Sequence, residues 1–125
     1  MKKLLIFVIA GFVLNIAHAQ SEGEEDYTVV LPDDAQECVL PAAPDAIPAE
    51  ANYDQMVEAK QHVADFQAML ATYRECLHAA EDNSELTAGN KQALVASHNY
   101  SVEMEERVAA RFNEAVRSYK ERTAK

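Results

Sequence analysis

The chain is short and acidic, with 125 residues and 11 Lys+Arg against 21 Asp+Glu, a net charge of −10 with the histidines neutral. That length holds one domain at most. The negative balance repels nucleic acid and anionic lipid head groups, which excludes a nucleic-acid-binding role.

Lys2 and Lys3 form a short positive start, and the apolar run from Leu4 to Ala17 follows it, broken by Gly11 and Asn15. Ala17-His18-Ala19 supplies the small-x-small pattern that signal peptidase reads, so residues 1–19 are expected to be an export signal cut between Ala19 and Gln20. The run falls short of the roughly 20 apolar residues of a comfortable membrane span. No cysteine follows it to take a lipid anchor. The expected product is periplasmic or secreted, without stable membrane insertion. Removing two lysines and no acids leaves 9 basic against 21 acidic residues, or −12.

Residues 20–37 are acidic, contain Gly23 and Pro32 and show no helical period. They are expected to be disordered, or ordered only by docking. Tyr27 to Leu31 is a brief β-prone patch within them, of a kind that adds to a partner's sheet edge. Residues 38–51 carry Pro41, Pro44 and Pro48 and favour an extended path. Cys38 and Cys76 are the two cysteines, and in an exported chain an even pair reads as a disulfide. Their spacing fits no zinc or redox motif.

The first helix is predicted over 53–80. Asn52 with Gln55 three residues later has the form of a capping box. Met56, Ala59, Val63, Phe66, Leu70, Tyr73, Leu77 and Ala80 then step alternately by three and four, the heptad seam of helices packed side by side. The second helix is predicted over 88–121 with Thr87 as its cap, leaving 122–125 as a C-terminal tail. Gly89 weakens its first turn by roughly 1 kcal/mol relative to Ala. Its seam reads Val95, His98, Val102, Glu105, Ala109, Phe112, Val116 and Tyr119, with Glu103 and Arg107 forming an i,i+4 pair outside it. His98 reads as a hydrogen-bonded polar residue that fixes the seam's register. A short connection makes the helices antiparallel neighbours. Seam matching places Leu70 near His98, Val63 near Glu105 and Met56 near Phe112. The fold expected is all-α: a coiled-coil-like antiparallel two-helix hairpin over 52–121, with an extended Pro-rich N-terminal segment pinned to it by the disulfide. That segment covers roughly 46 Å at 3.1 Å per residue, enough to run back along the first helix as a third layer.

The second helix carries Ala93-Leu94-Val95, Asn99, Val102, Met104-Glu105, Ala110-Arg111-Phe112-Asn113, Val116-Arg117 and Tyr119-Lys120. With Tyr73-Arg74-Glu75-Cys76-Leu77 and the Cys-then-prolines segment, this resembles a group of small exported bacterial proteins, over about residues 38–121. The resemblance implies the signal peptide, the disulfide and the hairpin, and carries over no functional residue.

The three glycines cannot build a phosphate-cradling loop, and no Ser/His/Asp arrangement sits on a recognisable elbow. A two-helix fold also offers little concavity. An enzyme is not expected, and no cofactor is called for. Glu58, His62 and Asp65 share a helix face, and seam matching adds Glu105, so these four are the metal-ligand candidates, set against a plain interhelical His–carboxylate contact. Val57, Met69, Leu94, Met104 and Val108 are left as surplus apolar residues beside the seams, with Asn99 and Asn113 along one edge. Together they make a candidate interaction surface for a protein partner or a second copy of the chain. The expected function is a non-enzymatic helical interaction or scaffold protein of the cell envelope. The alternative is a periplasmic metal- or small-ligand-binding protein using the His/carboxylate edge.

Overall fold

The computed structural model describes residue 23, residues 25–82 and residues 85–124. The expected export signal and its cleavage site lie outside these residues. Among the described residues three helices are formed: α1 (Asp33–Gln36), α2 (Tyr53–Glu81) and α3 (Ala88–Thr123). The two long ones pack against each other as an antiparallel hairpin, and among the described residues there is no strand. None of the described helices is long and apolar enough to cross a membrane.

Each long helix starts where its sequence provides a cap. Asn52 accepts from the Gln55 backbone N–H while the Gln55 side chain accepts from the Asn52 N–H, both at 2.9 Å, so the capping box is complete. Thr87 Oγ1 accepts from the Asn90 N–H at the head of α3. The Gly89 N–H, a second donor that no helical carbonyl can reach, donates to Asp26 O at 3.2 Å.

The expected seam of α2 is the buried one. Met56, Phe66, Leu70, Tyr73, Leu77 and Ala80 are buried, and Ala59 and Val63 half-buried. On α3 half of the expected seam is displaced by one position. Leu94, Ser101 and Val108, seven apart, are the buried residues, whereas Val95 is 51 % exposed. His98, Glu105, Phe112 and Tyr119 keep their places as the half-buried partners. The true seam therefore steps 94, 98, 101, 105, 108, 112. The ambiguity arose because Leu94-Val95 and the pair Val102 and Val108 supply apolar residues to both phases, while Ser101 conceals one. Ser101 is the fully buried polar residue of the hairpin, and its hydroxyl donates to His98 O at 2.6 Å. It, rather than the His98 side chain, is the polar marker within the seam.

The helix register differs as well. Leu70 clusters with Phe66 and Val108, with Val63 and Met104 packed alongside, so Leu70 meets residues beyond His98. At the loop end Leu86 turns inward and joins Tyr73, Leu77, Ala80 and Leu94 in a second cluster. A loop that sends a residue into the core is not symmetric about its midpoint, and the pairing slides accordingly.

The Cys38–Cys76 disulfide is formed, with the two Cα atoms 5.6 Å apart. From it the Pro-rich segment runs as an irregular strap back to Asn52, along a stretch of α2 about 35 Å long at 1.5 Å per residue. Arg122 fastens the far end, its Nη2 donating to Ala51 O at 2.8 Å and its Nε lying 3.7 Å from Glu50. Residues 25–37, expected to be disordered or ordered only by docking, are docked on their own hairpin. The amide of Asn90 accepts from the Val30 N–H at 2.9 Å and donates to Val30 O at 3.0 Å, as a neighbouring strand would. Thr87 Oγ1 donates to Thr28 O, and Ala35 and Leu31 pack into the loop-end cluster. The β-prone patch thus finds its partner in a side-chain amide of α3.

Candidate functional site

Because the strap is tied down at both ends and crosses an uneven helical surface, it leaves space beneath it. A groove of about 530 Å³ lies between the strap and both long helices near the strap's C-terminal end. Its floor is apolar, from Met56, Ala59 and Val63 on α2 and Val108, Phe112 and Ala115 on α3, and Pro44, Ile47 and Pro48 form its roof. Gln55, Glu58, His62, Arg111, Glu114 and Ser118 line it with polar groups. The expectation of little concavity is corrected here. Two helices alone are convex, and the concavity comes from the third layer. A second hollow of about 590 Å³, open to one side, is lined by Ala43, Tyr100, Met104, Arg107, Val108, Ala110 and Arg111.

The metal-ligand candidates are not brought together. His62 Nε2 is 3.9 Å from Glu58 one turn earlier, and both are largely exposed. Asp65 accepts from Gln61 Nε2 at 2.8 Å. Glu105 pairs with Arg74, whose Nε also donates to Ser101 Oγ at 2.8 Å. Arg74 lies twelve residues beyond His62, roughly 18 Å along α2. The slid register is the cause. No group of three or more His, Cys, Asp or Glu among the described residues is placed to hold a metal ion.

The surplus apolar residues divide. Leu94 and Val108 are core, and Met104 packs on the Phe66–Leu70–Val108 cluster, so these three serve the hairpin itself. Val57 and Met69 remain 49 % exposed, and Asn99 and Asn113 are exposed. Arg107 does not reach the Glu103 carboxylate. It donates to Glu103 O and lies over the Tyr100 ring, 5.8 Å from its centroid. The arginine cluster around Ser101 went unread because Arg74 stands beside the predicted seam. A serine at a heptad core position, with a long basic residue on the facing helix, was the available signal.

No family model, curated protein or solved structure matches the chain. The chemistry of the site therefore rests on its own residues.

Proposed function

We propose that the chain is an exported, non-enzymatic interaction protein of the cell envelope, working in the periplasm or outside the cell as a helical binding or scaffold element. The observation that carries this reading is the groove beneath the strap. An apolar floor of six side chains under a proline roof, with a few polar groups at its margin, has the composition of a binding site. The Cys38–Cys76 disulfide holds that groove in shape and fits an oxidising compartment. The His62 edge supports no second reading, because Glu105 is committed to Arg74.

The test is a photo-crosslinking residue placed in the full chain in living cells, at Ser118 in the groove lining and, as control, at Gln67 on the exposed back of α2. The envelope fraction should yield an adduct from position 118 and none from position 67. Equal labelling from both positions, or none from either, refutes the groove as a protein-docking surface.

A further inference from the structure

Two arginines one turn apart on α3 differ from the other three. Arg74, Arg117 and Arg122 each face a carboxylate, of Glu105, Glu114 and Glu50. Among the described residues neither Arg107 nor Arg111 has an acidic partner. Arg107 is held only by its own helix's Glu103 O, at 3.3 Å, and by the Tyr100 ring, while Arg111 makes no hydrogen bond or ion pair.

Both line the second hollow, and no acidic residue lines it with them. Its apolar surface comes from Tyr100, Met104 and Val108. Val108 and Arg111 also line the strapped groove, so the two spaces meet at these side chains. A hollow whose lining holds two arginines and no acid therefore lies next to an apolar groove roofed by Pro44, Ile47 and Pro48.

We propose that a small amphipathic acid lies across these adjoining spaces, a long-chain monocarboxylate with its head on Arg107 and Arg111 and its tail beneath the strap over Val108, Phe112 and Met56. The proposal rests on the reading of the groove as a binding site. A guanidinium presents paired N–H donors that match a carboxylate, and residues four apart on a helix lie on the same face. The strapped groove has acids and bases mixed in its lining, Asp45, Glu58 and Glu114 beside Arg111 and Arg122, whereas the hollow has arginines without an acid and is the better seat for an anionic head. The volumes fall in the range of small-molecule sites.

The experiment is a calorimetric titration of the full chain with dodecanoate kept below its micelle concentration, beside dodecan-1-ol, acetate and dodecyltrimethylammonium. Dodecanoate should saturate at one per chain. Dodecanol should bind about tenfold more weakly, and acetate should give no saturable heat. In the Arg107→Gln/Arg111→Gln double variant, dodecanoate should weaken by about tenfold while dodecanol is unchanged. Both side chains are exposed, so an unaltered circular dichroism spectrum shows that the variant folds. Equal binding of dodecyltrimethylammonium, or unchanged dodecanoate affinity in the double variant, overturns the proposal. So does co-sedimentation with phosphatidylglycerol vesicles without saturable dodecanoate binding, which would make the arginines a membrane-surface patch. A protein-sized adduct from position 118 together with no dodecanoate binding overturns the amphipathic acid and leaves the groove reading in place. Absence of both removes the two together.

Discussion

Gly89→Ala tests the docking of the N-terminal segment with one methyl group. A Cβ at position 89 would stand 2.3 Å from Tyr27 O, 2.5 Å from Tyr27 C and 2.9 Å from Thr28 O, more than an ångström short of ordinary contact for the nearest. The atoms it meets are backbone, which cannot swing aside as a side-chain end can, so the segment must lift off the head of α3. Four hydrogen bonds go with it: Gly89 N–H to Asp26 O, Thr87 Oγ1 to Thr28 O, and the paired Asn90–Val30 bonds. Each contributes about 0.5–1.5 kcal/mol net. Releasing five residues returns conformational entropy of similar size, about 1 kcal/mol or more per residue. Alanine also favours the helical turn over glycine by up to about 1 kcal/mol. These terms oppose one another, so global stability in urea should move by no more than about 1–2 kcal/mol. The local effect is large. Amide hydrogen exchange should show Val30 protected in the parent and unprotected in the variant, with the α2 amides from Phe66 to Leu77 unchanged. Val30 protection that survives in the variant would refute the close approach. A fall of several kcal/mol in stability would refute the separation of segment from core.

Three further outcomes follow from the same structure. Arg74→Ala leaves the half-buried Glu105 without its cation and Ser101 Oγ without a donor, and should cost about 1–3 kcal/mol in urea denaturation, with Glu105→Gln costing less. Cys38→Ser/Cys76→Ser opens a loop between residues 38 apart and should lose roughly 4 kcal/mol on the chain-entropy account, with helical circular dichroism retained below the lowered midpoint. The Thr28 hydroxyl and backbone N–H both bond to Asp26 and hold its carboxyl below the ordinary aspartate range. Its support for the docked turn is therefore complete above the ordinary value and lost as pH falls through the lowered one. A carboxyl carbon NMR titration should place the Asp26 midpoint below the ordinary aspartate value.

How much of this was legible differed from element to element. Asn52, Gln55 and Thr87 announced their caps because capping is a contact between near neighbours, which sequence spacing displays directly. The α2 seam was plain because its apolar residues occupy one phase. On α3 the phase was hidden by Ser101, whose burial depends on Arg74 of the other helix, a partner that local pattern cannot reveal. The Asn90–Val30 pairing spans sixty residues and was unreadable for the same reason. Gly89 read as a weak point in a helix, whereas its lack of a Cβ is what admits Tyr27 and Thr28. The disulfide and the strap were readable from two cysteines and three prolines. The groove beneath them was not, since concavity depends on how far the strap stands from the helices.

On the proposed function, the disulfide-held strap makes the surface through which the chain works. The most direct test is the yield of adduct from a photo-crosslinker at Ser118 in the oxidised full chain and in the Cys38→Ser/Cys76→Ser variant, compared at equal amounts of folded protein. A discrete adduct is expected with the strap pinned, and its loss once the strap is released. An adduct of the same mass and yield from both proteins would contradict it.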